Sequence, residues 1–494
     1  MNYTLNYPDC SAAELILNVA ERYPKLHAYS FLGFNTSYKR FAKQIRSSAS
    51  ALAAAGVVKG DRIMLCLPNV PLAMLAFYGA NLLGAAVVFV HPLSSEGELE
   101  YYINDSKPKL IITMKMFRDK FKTEIPIITN LNKLRGIKVT SDAEPIDADA
   151  AAIMYSGGTT GSPKGIILSN FNFNSLAVQA SASADCLEPG GKMLAIMPIF
   201  HGYGLGIGVH TALAEGCCIV LVPRFTSKSC AKLIKRINYF SGVPTLFEAL
   251  LHEKSLNRAD LSHLRGVFCG ADTLSVELKQ KFDAFLAERG APVRLREGYG
   301  MTESVTATCL TPREPERERS GSVGLPYADT RYKTLDSGEL CVRGPTVMLS
   351  YLNNPEETAQ TLQIHDDGYE WLHTGDIGKI DDEGYVYFLG RIKRVIMTSG
   401  YSVFPLQIEL ALNSHELVKQ SCVIGVPHPY KMQVPKAFIT LNNGIRADKL
   451  IEAQLREHLE KNVAKYALPK EIVFLDSFPT TKLGKIDVKE LEKL

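Results

Sequence analysis

The sequence predicts an α/β fold, with a large N-terminal domain of layered sheets and helices followed by a small α+β domain. At 494 residues the chain is too long for a single hydrophobic core. Amphipathic helices alternate with short apolar strands through most of it, which is typical of mostly parallel sheets covered by helices. After Gly390-Arg391 the pattern changes to that of a compact α+β unit of about a hundred residues.

The first clear unit is a helix followed by a strand. Ser37 or Thr36 is placed to cap the helix, and Gly56 is placed to end it. Its apolar side chains recur at helical spacing, and a strand is expected over residues 62–67. The apolar positions of the helix are Phe41, Ile45, Ala49 and Leu52.

The segment from Leu72 to Val90 has no charged residue and is long enough to be a transmembrane candidate. Pro71, Gly79 and Gly84 divide it, however, and no basic cluster flanks it. We therefore expect a buried helix, a cap at Gly84 and a buried parallel strand.

Later segments continue the alternation. A strand over 266–269 precedes a polar-faced helix over 274–289, and the charged run 314–319 is expected to be a solvated loop. For the C-terminal domain the periodicity predicts helices over 405–415 and 447–463, with strands over 421–426, 436–441 and 471–475.

Composition excludes several classes of protein. With 55 basic and 52 acidic residues the net charge is only +3, which gives no indication of a nucleic-acid partner. The ten cysteines lack a metal-type C-x-x-C pair, and Cys217 and Cys218 are adjacent, so free thiols in a reducing compartment are expected. The N-terminus lacks the features of a secretion signal, which predicts a cytoplasmic location.

The most informative segment runs from Tyr155 to Gly165 and is rich in glycine and hydroxyl side chains, with one lysine. Glycine lets the backbone approach a phosphate, and Lys164 adds positive charge, so the loop suits a triphosphate. Ser162-Pro163 separate Gly161 from Lys164, so the segment does not match the pattern of the commoner P-loop. Short apolar runs on both sides predict that it caps a hairpin; a flexible surface turn is the alternative.

Together with four later segments, this loop resembles the motifs of the adenylate-forming superfamily, in that family's order and over nearly the whole chain. The superfamily includes acyl-CoA synthetases, which the chain resembles most, nonribosomal peptide adenylation domains and beetle luciferases. The later segments are Met197-Pro-Ile-Phe-His-Gly-Tyr-Gly204, Gly298-Tyr-Gly-Met-Thr-Glu-Ser304, Trp371-Leu-His-Thr-Gly-Asp376 with Gly390-Arg-Ile-Lys393, and Pro479-Thr-Thr-Lys-Leu-Gly-Lys485.

The resemblance implies a domain division and the catalytic residues. It implies an N-terminal adenylation domain over 1–391, a hinge over 392–393 with Lys393 at its centre, and a mobile C-terminal lid over 394–494. Lys485 matches the lysine that bridges the acyl carboxylate and the α-phosphate; a solvated lysine in a Lys-rich tail is the alternative, and Leu483 stands where serine is common. The other implied catalytic residues are Thr302 at the α-phosphate, Glu303 with Thr159 as Mg²⁺ ligands, and His201 at the mouth of the acyl pocket.

The resemblance also implies the nucleotide site. Tyr299 would stack on adenine, while Asp376 and Arg391 would contact the ribose. Asp272 and Glu297 depart from the family, which often has proline and an amide residue there. The full set for ATP or AMP is Ser156, Gly157, Thr159, Thr160, Gly161, Lys164, Gly270, Ala271, Asp272, Glu297, Gly298, Tyr299, Gly300, Met301, Thr302, Asp376 and Arg391.

The resemblance places the acyl group and CoA as well. The alternate glycines after His201 leave room for a bulky acyl group, although a helix-packing role is as well supported. The CoA tunnel would include Ser399, Gly400 and Tyr401. The implied acyl pocket is His201, Gly202, Gly204, Gly242, Val243, Gly270, Gly298 and Gly300.

These observations predict an acid:CoA ligase that uses ATP, Mg²⁺ and CoA, acting on a fatty or other bulky apolar carboxylic acid. Two alternatives remain within the family: an enzyme that loads a carrier-protein phosphopantetheine, and an aryl-acid CoA ligase. Outside it, the rivals are a P-loop hydrolase and a membrane-anchored binding protein. The short 332–337 segment predicts a trimmed hairpin outside the site.

Overall fold

The computed structural model describes residues 3–134, 139, 144–147, 149–156, 163–223, 226–398, 401–442, 444–481 and 486–494. The chain forms two compact units. The first comprises Met1–Tyr332 and Val342–His373, and the second comprises Lys333–Cys341 and Thr374–Leu494. These two units are defined by how compactly the chain packs. The predicted hinge at 392–393 describes a motion of the C-terminal domain, and it stays a prediction.

The helices of the first unit are α1 (Ala12–Arg22), α2 (Tyr38–Ala55), α3 (Pro71–Asn81), α4 (Glu96–Ser106), α5 (Asn170–Ala184), α6 (Ala212–Ala214), α7 (Ser227–Ile234), α8 (Pro244–Leu251), α9 (Val276–Ala287) and α10 (Pro355–Thr361). Tyr203–Thr211 is a π-helix that leads into α6. Those of the second unit are α11 (Pro405–Asn413), α12 (Lys449–Asn462) and α13 (Val488–Leu491).

The strands, in chain order, are β1 (His27–Phe31), β2 (Phe34–Ser37), β3 (Arg62–Cys66), β4 (Ala86–Phe89), β5 (Leu110–Thr113), β6 (Ile127–Ile128), β7 (Ala150–Ser156), β8 (Lys164–Ser169), β9 (Lys192–Ala195), β10 (Cys218–Leu221), β11 (Tyr239–Gly242), β12 (Gly266–Cys269), β13 (Leu295–Gly300), β14 (Ala307–Leu310), β15 (Leu325–Pro326), β16 (Arg331–Thr334), β17 (Glu339–Arg343), β18 (Ser350–Tyr351), β19 (Leu362–Ile364), β20 (Glu370–Ile380), β21 (Val386–Arg391), β22 (Ile396–Thr398), β23 (Tyr401–Val403), β24 (Val418–His428), β25 (Met432–Leu441) and β26 (Glu471–Phe474).

Two large sheets carry the first unit. One has the strand order β15-β14-β13-β12-β11-β9-β10-β1-β2, and the other has the order β18-β8-β7-β4-β3-β5-β6. Neighbours from β13 to β1 in the first sheet, and from β7 to β6 in the second, are parallel. The carboxyl ends of such strands meet at one edge of the sheet, where ligands of α/β proteins commonly bind.

The predicted helix after Ser37 is confirmed. Ser37 accepts a hydrogen bond from the backbone N–H of Arg40 and so caps α2, while Gly56 ends it with φ of +104°. Its predicted apolar stripe is buried, and Arg62–Cys66 follows as a fully buried strand. Helix α2 can be predicted from the sequence alone because it has all three local signals: a cap, an apolar stripe and a terminating glycine.

The uncharged segment from Leu72 to Val90 folds as predicted. It forms α3, which is almost wholly buried, and then β4, which pairs in parallel with β3 and β7. Gly84 lies between them with φ of +74°. None of the helices that the structure describes is long and apolar enough to cross a membrane.

The second unit contains a sheet with the strand order β23-β22-β25-β24, in which β26 also pairs with β25. Helices α11 and α12 pack on it around Ile408, Leu412, Leu455 and Leu459. All five elements predicted for this part of the chain are present. The strands β24 and β25 are longer than predicted because their exposed ends continue the ladder as far as the His428↔Met432 pair.

The charged run 314–319 is only partly a solvated loop. Residues 314–317 are exposed, but the Glu318 carboxylate forms ion pairs with Lys279 at 2.8 Å and with Arg294 at 3.2 Å. The prediction is therefore wrong at Glu318, because Lys279 lies on α9 and Arg294 follows that helix.

Residues 335–338 form a tight turn between β16 and β17, in which the Gly338 N–H donates to the Leu335 carbonyl at 2.8 Å. All ten cysteines are free thiols.

Candidate active site

The predicted phosphate loop joins two antiparallel strands. Strands β7 and β8 are paired from Ala150↔Ser169 to Ser156↔Lys164, which confirms the predicted hairpin. Gly157, Thr159, Thr160 and Gly161 lie outside the described residues. On the α4 side the hairpin is anchored twice: the Tyr155 hydroxyl donates to Asp105 at 2.7 Å, and Tyr101 donates to the Pro163 carbonyl at 2.8 Å.

Lys164 contacts two side chains that the sequence did not predict. Its ammonium forms an ion pair with the Glu357 carboxylate in the first turn of α10. The same nitrogen lies 5.1 Å from the centroid of the Tyr351 ring, within cation–π range. Tyr351 stands opposite Ile166 in the β18–β8 pairing, two residues after the lysine. The lysine is therefore held over the hairpin by β18 and α10.

Glu303 meets the same tyrosine. It lies in the 3₁₀ turn Thr302–Ser304 after β13, and its carboxylate accepts a hydrogen bond from the Tyr351 hydroxyl at 2.9 Å. Burial, followed by the Glu303 charge, raises the pKa of Tyr351 well above its usual value, so the hydroxyl remains a donor. Tyr351 thus contacts both Lys164, for which the loop predicts a phosphate role, and Glu303, for which the family resemblance implies a magnesium role.

The turn that carries Thr302 and Glu303 ends in an unusual backbone conformation. Val305 has φ of +63°, a region that β-branched residues rarely adopt. A Cβ added to Gly202 would lie 1.6 Å from the Val305 carbonyl oxygen, so the π-helix side and this turn approach at backbone distance. A side chain at 202 is incompatible with this arrangement.

The predicted adenine residues lie where parallel strands end. Strands β12 and β13 are parallel, with Cys269 opposite Glu297, so Gly270 to Asp272 and Glu297 to Gly300 share one edge of the sheet. Ala271 has φ of +67°, which turns the chain away after β12. Gly270 and Gly298 are close enough that a Cβ on Gly270 would lie 3.2 Å from the Gly298 carbonyl. This end of the site is made largely of backbone.

The Glu297 carboxyl at this edge has a raised pKa. Burial raises its pKa to about 8, and its carboxyl accepts a long hydrogen bond from the Leu274 N–H at 3.4 Å. A protonated carboxyl carries one O–H donor and one carbonyl acceptor, the same pair of functions that a glutamine offers. The departure from the family's amide residue at this position is therefore chemically small near neutral pH.

Tyr299 and Met301 follow in the chain. The Tyr299 ring lies 6.5 Å from the ring of Tyr332, and the Thr308 hydroxyl donates to the Tyr299 carbonyl at 3.3 Å. Gly300 has no room for a side chain, because a Cβ there would lie 1.7 Å from the Thr306 carbonyl oxygen. Stacking of Tyr299 on a base stays a prediction.

The predicted acyl-pocket residues surround the π-helix. His201 stacks edge-on against Phe200, with ring centroids 4.9 Å apart, and Phe200 in turn contacts His91 at 4.5 Å. A Cβ on Gly204 would lie 2.0 Å from the Pro198 carbonyl oxygen, so a side chain is excluded there as it is at Gly202. These two glycines permit backbone packing, which favours the packing alternative. Their place in an acyl pocket stays a prediction.

Two further predicted pocket residues, Gly242 and Val243, lie at the end of β11 and the start of α8. A Cβ on Gly242 would lie 2.3 Å from the Leu246 side chain. Tyr203, which the sequence did not assign, contributes the first residue of the π-helix, and its ring lies about 3.6 Å from where a Cβ on Gly270 would be. Tyr203 therefore lies close to Gly270, which belongs to both the predicted acyl pocket and the predicted adenine site.

The second unit holds the predicted ribose residues. Asp376 on β20 and Arg391 on β21 stand opposite each other, and their side chains form an ion pair at 3.4 Å. Asp376 is 5% exposed. The register of one hairpin brings them together, as a shared ribose role requires.

The predicted hinge, lid and CoA residues also belong to this unit. Lys393 lies in the 3₁₀ turn Ile392–Arg394, and the next residue, Arg394, donates to Glu409 at 2.6 Å and to the Val423 carbonyl at 3.1 Å. Tyr401 lies in β23, while Ser399, Gly400 and Lys485 lie outside the described residues. The segment that carries Lys485 is flanked by a bridge between Thr480 and Ile486.

Sequence reasoning missed Tyr351 and Glu357. The start of α10 was readable, because Asn354 and Pro355 form a capped helix start with acidic residues in the first turn. The contacts of Tyr351 and Glu357 could not be predicted, because their partners Glu303 and Lys164 lie far away in the chain and no local pattern links them.

The family model of AMP-binding enzymes matches residues 17–352, and that of the AMP-binding enzyme C-terminal domain matches residues 407–485. The chain is 31% identical to a long-chain-fatty-acid–CoA ligase of Bacillus subtilis (strain 168), covering 98% of this chain and 94% of that protein. It is 30% identical to 4-coumarate–CoA ligase 2 of Nicotiana tabacum, covering 98% and 92%.

The fold is similar to that of ATP-bound MatB from Rhodopseudomonas palustris, with a TM-score of 0.86 and 26% identity over 98% of this chain and 99% of that one. Both compact units fall within these similarities.

Proposed function

We propose that this chain, which belongs to the AMP-binding enzyme family, is an AMP-forming acid:CoA ligase that activates a carboxylic acid as its acyl-AMP and then passes the acyl group to CoA. The observation that carries the proposal is the meeting of Lys164 and Glu303 across Tyr351, beside the hairpin loop. A cation and a carboxylate in that position suit a magnesium-bound triphosphate.

The chemistry explains why these residue types are needed. The acid's carboxylate attacks the α-phosphate of ATP, and pyrophosphate leaves. Because two anions must come together, the site needs cations and oriented donors rather than a nucleophilic side chain. We assign the triphosphate to Lys164 and the hairpin loop, the α-phosphate to Thr302 and Lys485, and magnesium to Glu303 with Thr159. Bound magnesium would offset phosphate charge during the attack.

The second step transfers the acyl group. The CoA thiol loses its proton and attacks the acyl carbonyl, the mixed anhydride breaks, and AMP leaves. We assign the ribose to Asp376 and Arg391, and the swing of the lid between the two steps to Lys393. The anchoring of Arg394 to Glu409 supports this assignment, because a fixed residue directly after Lys393 would confine a change in backbone dihedral angles to Lys393 and the residues before it.

The acid is an apolar monocarboxylate in this proposal, as in the names of the two relatives, one a ligase of long-chain fatty acids and the other of 4-coumarate. One observation favours the aryl acid. The Tyr203 hydroxyl donates to the Phe268 carbonyl at 3.4 Å, so the ring occupies space between the π-helix and β12. A flat aromatic acid needs less depth than a long alkyl chain.

The test is a screen for pyrophosphate release with saturated fatty acids of increasing length and with cinnamate-type acids, each with and without CoA. We expect ATP- and Mg²⁺-dependent pyrophosphate release with an apolar acid and thioester formation only when CoA is present. Release of orthophosphate and ADP would overturn the proposal. Transfer of the acyl group to a phosphopantetheinylated carrier protein but not to CoA would show that the carrier protein, and not CoA, is the acceptor.

Tyr203→Ala separates the two acid classes. If the Tyr203 ring limits pocket depth, the variant should shift the preference toward longer acids while the KM for ATP stays unchanged. A wild-type preference for long chains that the variant does not alter would exclude the aryl-acid interpretation.

A further inference from the structure

The 348–358 segment, which comprises β18 and the first turn of α10, contacts both charged residues at the phosphate end of the site. The Met348 N–H donates to the Glu303 carbonyl at 2.8 Å, and the Tyr351 hydroxyl donates to the Glu303 carboxylate at 2.9 Å. The Leu352 N–H donates to the Gly165 carbonyl at 2.7 Å, next to Lys164. One short segment therefore fixes both the backbone and the side chain of the proposed metal ligand.

The position of Glu357 is fixed by the start of the helix. Asn354 caps α10 by accepting from the Glu357 N–H at 3.1 Å, and the Tyr351 N–H donates to the Thr358 hydroxyl at 3.0 Å. These bonds direct the Glu357 carboxylate at the Lys164 ammonium. Both side chains keep some exposure, at 32% and 23%, so the pair can open without unfolding its surroundings.

A carboxylate and a phosphate compete for the same feature of a lysine. Both are oxyanions that accept from the ammonium, and Lys164 is the lysine of the loop that suits a triphosphate. While Glu357 holds it, the ammonium stays over the Tyr351 ring and does not turn toward solvent. Phosphate oxygens of a bound triphosphate would compete with that carboxylate for the donors of the ammonium.

We propose that the 348–358 segment positions the phosphate end of the nucleotide site: Tyr351 orients the Glu303 carboxylate toward its metal ion, and Glu357 occupies Lys164 until the phosphates of ATP replace it. This inference rests on the roles proposed above for Lys164 and Glu303. It assigns opposite effects to two neighbouring residues, since losing Tyr351 weakens the site and losing the Glu357 charge frees the lysine.

The experiment is calorimetric titration of the full chain with an ATP analogue that has a methylene group between the α- and β-phosphorus atoms, at several Mg²⁺ concentrations. No acid is needed, so the measurement does not depend on knowing the substrate. For Tyr351→Phe we expect the Mg²⁺ concentration at half-maximal binding to rise about tenfold, the scale for losing one hydrogen bond to a charged group. Binding without Mg²⁺ should be unchanged.

For Glu357→Gln we expect the opposite sign. The Kd of the analogue without Mg²⁺ should fall about threefold, because a neutral amide competes less well for the lysine. The matched control is Glu356→Gln, which removes the same charge from an exposed side chain in the same helical turn. For the tyrosine arm the control is Tyr239→Phe, which removes a hydroxyl that donates to the Cys186 carbonyl at 2.8 Å. Thermal melting checks that each variant is folded.

The inference is overturned if Glu357→Gln and Glu356→Gln change the Kd equally, if Glu357→Gln weakens binding, or if Tyr351→Phe leaves the Mg²⁺ dependence unchanged. Lys164→Ala and Glu303→Gln test the roles on which it rests. If these two leave binding unchanged, those roles and the inference fail together. If the binding results hold while no acid supports pyrophosphate release, the proposed reaction fails and the positioning role stands.

Discussion

The two compact units hold their candidate residues in different ways. In the first unit, Lys164, Glu303 and Tyr351 come from three separate segments and meet through side chains. In the second unit, Asp376 and Arg391 face each other across a single hairpin. The first arrangement exists only when the whole unit is folded, whereas the second needs only the register of two strands.

This difference suggests that the two units contribute to different steps of the proposed reaction. Side-chain contacts among distant segments hold Tyr351 and Glu303 in place before any ligand binds, so the exchange at Lys164 is the main rearrangement that we expect on ATP binding. Residues that share one hairpin, or follow an anchored turn, keep their local geometry whichever way the unit turns. We therefore expect substitutions in the first unit to act on nucleotide binding and on stability, and those in the second to separate the two half-reactions.

The largest effect should come from Lys485→Ala in the second unit. Loss of one preorganised donor should slow the adenylation half-reaction about 10²–10³-fold. Thioester formation from supplied acyl-AMP should be much less affected, and both rates are measured separately. Lys489→Ala, in the same Lys-rich tail, is the control and should change neither rate. Equal losses in the two half-reactions would contradict the role of Lys485.

In the first unit the strongest effect should come from Gly300→Ala. A Cβ there meets the Thr306 carbonyl oxygen at 1.7 Å, so the backbone of β13 and β14 must separate. We expect a loss of about 3 kcal/mol in the free energy of unfolding, measured by urea denaturation. Gly97→Ala, at the start of α4 where an added Cβ meets nothing within 4 Å, should be neutral or stabilising. Similar values for the two variants would mean that this end of the site is not closely packed.

Lys393→Pro tests the hinge. Proline fixes φ near −65° and removes an N–H, so the variant should admit at most one of two lid orientations. Pyrophosphate release should be mostly retained, while thioester formation falls about tenfold or more. Lys393→Ala should change little. If both half-reactions fall together, or neither falls, a two-state lid that turns at this residue is excluded.

The smallest effect concerns Glu297 and depends on pH. Burial raises its pKa from the usual 4.5 to about 8. Its contribution to stability is therefore fully present below about pH 4.5 and is lost as the pH rises to about 8. Above that pH a carboxylate faces the proposed base site, and ATP binding should weaken a few-fold.

Glu297→Gln removes that titration. Compared with the wild-type protein, the variant should show similar ATP affinity at pH 6.5, tighter binding at pH 9, and a melting temperature that declines less between pH 5 and pH 9. Parallel pH profiles for the two proteins would show that the carboxyl does not titrate in this range.

Elements with complete local signals were predictable from the sequence. Helix α2 has its cap at Ser37, its apolar stripe and Gly56, and the hairpin around the phosphate loop has apolar runs on both sides. The roles of the candidate residues within the motifs came from the resemblance to the family, and they stay predictions.

Contacts between distant segments were not predictable. Nothing near Glu318 indicates Lys279, and nothing near Glu357 indicates Lys164. The interpretation of the glycines after His201 had two alternatives, and only the backbone contacts at Gly202 and Gly204 favour packing. The local sequence predicts whether a segment forms a helix or a strand. Which distant side chains come into contact depends on the topology of the sheets.

The approach of Gly202 to the Val305 carbonyl has a genetic consequence. Gly202 cannot change alone, because a side chain at 202 collides with an oxygen whose place is set by the backbone of Val305, which has φ of +63°. In a screen for second-site changes that restore folding to Gly202→Ala, suppressor mutations should therefore cluster in codons 302–306, and substitutions elsewhere in the π-helix should not restore folding. Because that turn also carries Glu303, such suppressors should recover folding more fully than activity.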